Sequence, residues 1–278
     1  MARLKRASER SQASQKLFVG APIWSHAPWV GNFYPEGTPS TSFLKEYGKQ
    51  LGTVEVNSTF YAIPSEETFK KWKESVDENF RFCPKFPKSI SHSLNPEHPD
   101  LKIFTERVLS LGDRLGVCFL QLPQYLSPGE KPRLERLFQA LPRELKTVVE
   151  FRNPEFFESQ RLKAEWVDLL AKNFLGTVSV DTPLERAVAH ASISSTRVMV
   201  RFLGGNLHDT DFKRLEEWTE RVALWLKNGM KEIYFLVHEP ENTLATEATA
   251  RLIELMNTRL HQESVSLKLV PIQWNHLL

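Results

Sequence analysis

The 278-residue sequence predicts an α/β protein that folds as a single (β/α)8 barrel, or TIM barrel, over residues 17–278. Eight short runs rich in β-branched and aromatic residues recur along the chain, and most of them end at Pro or Gly, as strands do. We expect a helix-like segment after each run, because successive runs start about 30 residues apart, which is the size of one βα unit. The predicted strands are 17–24, 53–61, 80–87, 115–123, 146–154, 175–183, 196–204 and 232–240.

Amphipathic segments between these runs predict the helices. In residues 65–79, Ser65 is a suitable N-cap, and the apolar residues of the segment recur on one helical face. Residues 154–173, 209–227 and 245–261 predict three more helices. A doubly wound open sheet is the alternative fold, but it normally has fewer strands and a glycine-rich phosphate turn after the first strand. The sequence has neither that turn nor another nucleotide-cofactor motif.

Charge divides the chain into a basic tail and a nearly neutral remainder. The whole sequence has 36 Lys and Arg against 34 Asp and Glu, yet residues 1–16 alone carry a net charge of +4. This tail is polar and has little to bury, so we predict that residues 1–16 are disordered. A nearly neutral barrel is not typical of proteins that bind long nucleic acids, so a nucleic-acid partner is only weakly supported.

Cellular context follows from two further features of the sequence. No stretch of about 18 apolar residues occurs, so we expect no membrane-spanning helix. The two cysteines, Cys83 and Cys118, fall within strand-like runs, which favours buried, reduced thiols and a cytoplasmic location. Oligomeric state is not indicated by the sequence.

Polar residues interrupt the apolar strand-like runs near their carboxyl ends. Barrel enzymes take their catalytic groups from these ends, so we expect the side chains to converge over one mouth of the barrel. Burying charges is costly unless they are paired, so the set is either a salt-bridge layer that caps the barrel or a functional pocket, and we favour the pocket. The residues concerned are Glu55, Asn57, Lys85, Gln121, Glu150, Arg152, Asp181, Arg201 and His238.

Roles follow from residue type. Glu150, Glu55 and Asp181 are the candidate catalytic carboxylates. The cations Arg152, Arg201 and Lys85 are candidates for binding an anionic substrate, and Asn57, Gln121 and His238 would add hydrogen bonds. Trp24 and Tyr61 are candidates for stacking on a ring of the substrate. The aromatic residues of the first loop, residues 24–34, either serve that purpose as well or pack the loop onto the barrel rim.

Several strings in the sequence resemble the YecE-like family of bacterial proteins, whose function is uncharacterised. They are VEVNSTFY at 54–61 and EFR at 150–152, with WVGNFYP at 29–35, FRF at 80–82 and FLQLP at 119–123. The resemblance covers about residues 17–256 and implies a TIM barrel, which has been compared with metal-dependent sugar isomerases and apurinic endonucleases. The chain departs from the family pattern at 22–24, at 201–204, where a histidine is absent, and at 238–239, where the family has two asparagines.

Three functions are compatible with these observations. The first is a hydrolase or lyase that acts on an anionic substrate containing phosphate or sugar. The second is metal-dependent phosphodiester or sugar chemistry, which we disfavour because histidine is scarce at the strand ends. The third is a module that binds a small anion or a nucleic-acid end without chemistry. For the second function, the ligands of a divalent ion would be Glu55, Glu150, Asp181, His238 and Glu239.

Overall fold

The computed structural model describes residues 15–263, 267 and 269–274. The predicted disordered tail lies outside the described residues except for Gln15 and Lys16, and Lys16 is the first residue of a strand. None of the helices in the described part of the chain combines the length and the apolarity needed to cross a membrane.

Eight parallel strands form the barrel, in agreement with the predicted fold class. Each strand lies within one of the eight predicted runs or extends it by one residue, although the observed strands are shorter. They are β1 (Lys16–Ala21), β2 (Thr53–Val56), β3 (Arg81–Pro84), β4 (Phe119–Gln121), β5 (Val148–Glu150), β6 (Gly176–Asp181), β7 (Arg197–Leu203) and β8 (Glu232–His238).

Hydrogen bonding joins the strands in the order β3-β2-β1-β8-β7-β6-β5-β4. The ring is completed between β3 and β4 by two isolated parallel bridges, Phe82 with Leu115 and Lys85 with Phe119. At the second bridge the Phe86 N–H donates to the Phe119 carbonyl over 3.0 Å. The seam between β3 and β4 is therefore closed by two separate bridges and not by a continuous ladder.

Helices surround the barrel and follow most strands, as in a repeated βα unit. Ser65 caps α2 as predicted, because its hydroxyl oxygen accepts from the Thr68 N–H. The helices are α1 (Phe43–Gln50), α2 (Glu66–Glu74), α3 (Lys88–Ser91), α4 (Pro99–Leu109), α5 (Lys131–Ala140), α6 (Ala164–Lys172), α7 (Asp209–Lys227) and α8 (Asn242–Gln262).

Two expectations about the helices were wrong. The predicted helix over 154–173 begins only at Ala164, because a short antiparallel hairpin of Phe157–Glu158 and Arg161–Leu162 precedes it. No α-helix follows β6 either. Residues 182–196, all of which the structure describes, contain a single short 3-10 helix, Arg186–Val188.

Side-chain alternation separates the barrel interior from the helix layer. Seven strands contribute to a buried apolar cluster that includes no helix residue, which identifies it as the interior of the barrel. Its members include Phe18, Cys83, Phe119, Val148, Val178, Val180, Met199, Tyr234 and Leu236. Continuing the same alternation towards the carboxyl ends places Lys85, Gln121, Glu150, Arg201 and His238 on the interior side of their strands.

The aromatic residues of the first loop pack the loop onto the barrel. Trp29, Phe33 and Tyr34 are buried, and the Trp29 indole N–H donates to the Asn242 carbonyl at the start of α8. Tyr47 of α1 joins this cluster, and its hydroxyl donates to the Thr53 carbonyl over 2.9 Å while accepting from the Ala21 N–H. Burial therefore raises the pKa of Tyr47 above its ordinary value. Of the two interpretations of this loop, packing on the rim accounts for these three residues.

Close contact between β1 and β2 depends on Gly20. A Cβ atom at this position would lie 1.8 Å from the Thr53 carbonyl oxygen, which belongs to the backbone of β2 and cannot rotate away. We expect Gly20→Ala to lower the free energy of unfolding by about 1–3 kcal/mol or more, as overpacked cores do. Urea denaturation followed by tryptophan fluorescence would measure the change.

Gly52→Ala is the matched control, because a Cβ at Gly52 would only make ordinary contact with Phe18 at 3.7 Å. Equal stability of the two variants would show that the backbone approach at Gly20 is not required.

Candidate functional site

Six polar side chains meet at the carboxyl ends of the barrel strands. They form a connected network of hydrogen bonds, which we call the mouth cluster: Glu55, Lys85, Gln121, Glu150, Arg201 and His238. The strands β2, β4, β5, β7 and β8 each contribute one of these residues, and Lys85 follows β3 directly. The cluster therefore exists only because the barrel closes.

Arg201 lies at the centre of the mouth cluster. Its Nε and Nη2 donate to the two oxygens of Glu55 over 2.7 and 3.3 Å, and its Nη1 donates to Glu150 Oε2 over 2.9 Å. One guanidinium thus bridges two carboxylates that are both almost fully buried. These two carboxylates in turn raise the pKa of Arg201 above its ordinary value, against the opposing effect of burial.

Glu55 is saturated with hydrogen-bond donors. Besides Arg201, its Oε1 lies 2.8 Å from His238 Nε2, and its Oε2 accepts from Asn57 Nδ2 over 3.1 Å. Burial alone would raise the pKa of Glu55, but the charges and hydrogen bonds of Arg201 and His238 lower it below the usual value. A carboxylate held ionised in this way binds protons poorly and positions its partners.

Glu150 is less completely engaged than Glu55. Its Oε1 accepts from Gln121 Nε2 over 2.7 Å, and the Arg152 guanidinium lies 3.8 Å from the same oxygen. Arg152 is 46% exposed, so this neighbour of Glu150 reaches the solvent. Each carboxylate oxygen of Glu150 accepts one close hydrogen bond and has a second lone pair.

Lys85 connects the cluster to the rim of the mouth. Its Nζ donates to Gln121 Oε1 over 2.7 Å and lies 4.5 Å from the centre of the Phe60 ring. Burial and the Arg201 charge lower the pKa of Lys85, while Glu150 and Glu55 oppose this effect. The ammonium group is therefore a partly desolvated cation beside an aromatic face.

Aromatic rings continue outward from Lys85. The Phe60 ring contacts Tyr61 and His92 with centroid distances of 5.1 and 5.7 Å, and His92 in turn lies 6.2 Å from Tyr125. Tyr61 is 84% exposed and Tyr125 is 71% exposed, so both present ring faces to solvent. We call Phe60, Tyr61, His92 and Tyr125 the aromatic rim.

Sequence reasoning missed His92 and Tyr125. Both lie in loops, after β3 and after β4, where no strand alternation indicates the direction of a side chain. Trp24, by contrast, was expected at the site, but its ring packs edge-on against Trp72 of α2 at 5.4 Å.

Asp181 lies outside the mouth cluster, contrary to the expected convergence. On β6 the interior positions are Val178 and Val180, so Asp181 points in the opposite direction, into the helix layer. Its carboxylate accepts from the Trp218 indole N–H of α7 over 2.8 Å and pairs with Arg186 and Arg214. Glu239 follows the interior residue His238 and likewise faces away from the cluster, since its Oε2 accepts from the Asn206 N–H over 2.7 Å.

The five residues that the sequence suggested as metal ligands do not form a metal site in the described part of the chain. No three His, Cys, Asp or Glu side chains of that part of the chain lie close enough together to hold an ion. Asp181 and Glu239, two of the proposed ligands, face other partners, and the Arg201 guanidinium bridges Glu55 and Glu150.

The fold and this arrangement define a TIM-barrel protein with a charged cluster at the carboxyl ends of the barrel strands. Comparison with known protein families shows which family the chain belongs to. The profile described as "Protein of unknown function DUF72" matches residues 18–270, and the chain belongs to that family.

Relatives support the same assignment. The chain is 29% identical over 258 residues to "UPF0759 protein YecE" of Escherichia coli strain K12, covering 86% of this chain and 92% of that protein. It is 23% identical over 277 residues to "UPF0759 protein YunF" of Bacillus subtilis strain 168, covering 87% and 95%. The resemblance to the YecE-like family is thereby confirmed.

Solved structures show the same fold. A DUF72 family protein from Thermotoga maritima MSB8 superposes with a TM-score of 0.70 at 23% identity, covering 89% of this chain and all of that chain. A DUF72 family protein from Enterococcus faecalis V583 gives a TM-score of 0.68 at 19% identity, covering 88% and 99%.

Removing the central cation tests the charge balance of the mouth cluster. We expect Arg201→Met to lower the free energy of unfolding by about 3–5 kcal/mol, because it removes the cation that bridges two buried carboxylates. Arg152→Met is the control, and it should change stability by less than about 1 kcal/mol because Arg152 is half exposed. Similar losses in the two variants, measured by urea denaturation, would show that Arg201 is not the cation on which the buried carboxylates depend.

Glu239 makes stability depend on pH. Its side chain is buried against Gly204, and burial raises its pKa from the ordinary value of 4.5 to about 7, with an opposing contribution from the Asn206 N–H and a reinforcing one from Asp211. Because the folded state favours the protonated form, the stabilisation is fully present below pH 4.5 and is lost as the pH rises through about 7.

We therefore expect Glu239→Gln to gain stability relative to the wild type as the pH is raised from about 5 to 7.5. Urea denaturation at a series of pH values would measure the difference, with the exposed Glu247→Gln as control. A difference between Glu239→Gln and wild type that does not vary with pH would contradict the raised pKa.

Proposed function

We propose that this protein is an enzyme of the hydrolase or lyase type that acts on an anionic, phosphate- or sugar-containing substrate at the mouth cluster. The observation that carries the proposal is the pairing of two buried carboxylates, Glu55 and Glu150, through Arg201 at the face where barrel enzymes work. Buried, connected ionisable groups in such a place are characteristic of functional sites.

Glu150 is the proposed general acid or base. It has fewer close donors than Glu55, and Arg152 beside it reaches the solvent, so a substrate at the mouth would approach Glu150 first. Glu55 serves as a positioning residue, because its four hydrogen-bond contacts fix Arg201 and His238 in place.

Anion binding is assigned to Lys85 and Arg152, which lie at the edge of the mouth cluster and are less buried than Arg201. Arg152 offers a planar fork for a phosphate or carboxylate, and Lys85 offers a point charge. The aromatic rim beside Lys85 offers ring faces for the remainder of the substrate, since sugars and bases both stack on such faces.

The alternatives receive less support. Metal-dependent chemistry would need Glu55 and Glu150 to exchange Arg201 for an ion, and Asp181 to leave its three partners in the helix layer. A module that binds nucleic-acid ends without chemistry would use the same cations, but the folded part of the chain is nearly neutral. The buried, free thiols of Cys83 and Cys118 favour a cytoplasmic setting for the proposed enzyme.

Glu150→Gln tests the proposed chemistry. Turnover is first sought in a panel of sugar phosphates and bis(p-nitrophenyl) phosphate, with product detected by absorbance or phosphorus NMR. On the substrate that reacts, we expect Glu150→Gln to lower kcat by about 10²–10⁴-fold, which is the usual contribution of a general acid or base.

Glu232→Gln is the matched control for this experiment. Glu232 also pairs with an arginine, Arg197, but it begins β8 and so lies at the opposite end of the barrel. Its variant should keep kcat within about threefold of the wild type. Unchanged kcat in Glu150→Gln would remove Glu150 from the mechanism, and no turnover across the panel would overturn the proposed substrate class.

A further inference from the structure

A cavity separate from the mouth cluster lies beside the end of β6, where Asp181 and Trp218 contribute to its wall. Its volume is about 560 Å³, within the range of small-molecule sites. The walls come from four segments: the hairpin at 159–161, the end of β6, the loop after β6 up to Ser192, and one face of α7. None of the lining residues belongs to the mouth cluster.

Arginines dominate the charge of this cavity. Arg161, Arg186 and Arg221 line it, together with the carboxylates Asp181 and Glu217. The negative charge of Asp181 is already balanced by ion pairs with Arg186 and with Arg214, which lies 3.2 Å from it. Positive charge is therefore in excess around the cavity.

Two of the arginines have guanidinium groups without a carboxylate partner among the described residues. The side chain of Arg161 makes no hydrogen bond or ion pair within that part of the chain, and Arg221 rests on the Trp218 ring at 4.8 Å. Arginine forks of this kind match the oxygens of phosphate groups, which accept several hydrogen bonds at once. The free donors and the excess charge both point to an anionic ligand.

Uncharged groups complete the walls. The Ser192 hydroxyl oxygen accepts from the Leu162 N–H over 2.9 Å, which leaves its own proton free to donate. The buried ring of His190 stands beside it, and burial lowers the pKa of His190 to about 4, so this wall is neutral at pH 7. A neutral wall next to several arginines suits the uncharged part of a phosphorylated molecule.

The hairpin turn at the rim holds an unusual backbone. Ser159 and Gln160 both adopt left-handed conformations, with φ of 48° and 57°. Two-residue turns with this geometry favour Gly and Asn, because other side chains are disfavoured there. The chain nevertheless has serine and glutamine at these two positions, and both line the cavity.

We propose that this cavity is a binding site for a phosphorylated small molecule, distinct from the mouth cluster, with Arg161 and Arg221 as the residues that hold the phosphate. Arg186 reinforces the positive charge while it remains paired with Asp181. The bound molecule would connect the hairpin, the loop after β6 and α7, and would thereby stabilise the βα unit in which a 3-10 helix replaces the α-helix.

Isothermal titration calorimetry of the full chain with pyrophosphate, at constant ionic strength, tests the proposal. We expect saturable binding at this site, and we expect Arg161→Ala and Arg221→Ala each to raise its Kd by about tenfold, as the loss of one charge-assisted hydrogen bond does. Both side chains lie at the cavity wall without a structural ion pair among the described residues, so both variants should fold. Circular dichroism would verify this.

Two control variants separate this site from general charge effects and from the mouth cluster. Arg136→Ala removes an exposed arginine on α5, and Arg152→Ala removes the exposed arginine of the mouth. Both should keep Kd within about twofold of the wild type. An increase in Kd confined to Arg152→Ala would place the anion at the mouth and overturn the second site.

Three further results would overturn the proposal. These are a wild type that binds no pyrophosphate at about 10 mM, an unchanged Kd in both Arg161→Ala and Arg221→Ala, and citrate binding as tightly as pyrophosphate, which would exclude selectivity for phosphate. The activity at the mouth is tested by kcat and this cavity by Kd, with different variants. The binding proposal can therefore fail without contradicting the proposed activity at the mouth.

Discussion

The bond network around one buried guanidinium governs the mouth of this barrel. Arg201 on β7 bonds to Glu55 on β2 and to Glu150 on β5. These two residues lie 146 and 51 positions before Arg201 in the sequence. Carboxylates buried to this extent would otherwise lose several kcal/mol of solvation without compensation. Closure of the barrel therefore brings these charged side chains together. Their ion pairs in turn hold the ends of β2, β5 and β7 at fixed distances.

The same network places the two glutamates in different environments. Glu55 receives four hydrogen-bond contacts and is held ionised, whereas Glu150 receives two close ones and stands beside a solvent-exposed arginine. Lys85 and Gln121 lie on either side of the seam between β3 and β4, where the backbone contributes only isolated bridges. A side-chain hydrogen bond thus spans the seam that is closed only by isolated bridges, and the aromatic rim begins at the same place.

Local sequence pattern was sufficient for the strands and for most helices. Ser65 at the start of α2 and the apolar periodicity of 209–227 are local signals, and both elements formed as predicted. The prediction of one helix over 154–173 was wrong because a tight hairpin with two left-handed residues interrupts an otherwise helical composition. The position of Asp181 was also misjudged, because in a strand buried on both faces the alternation of polar and apolar residues does not show which face is the barrel interior. On β6 the valines occupy the interior and the polar residues face the helices.

The sequence by itself determined the eight strands of the barrel, the family and the set of ionisable residues at the strand ends, because these depend on composition and on neighbours along the chain. Tertiary structure decided which of those residues meet. Lys85, Gln121, Glu150, Arg201 and His238 converge with Glu55 because the closed barrel and its alternation orient them inward, while Asp181 and Glu239 turn outward from the next position in register. The aromatic rim and the arginine-lined cavity could not be predicted from the sequence either, because both are formed by loops and helix faces that are distant along the chain.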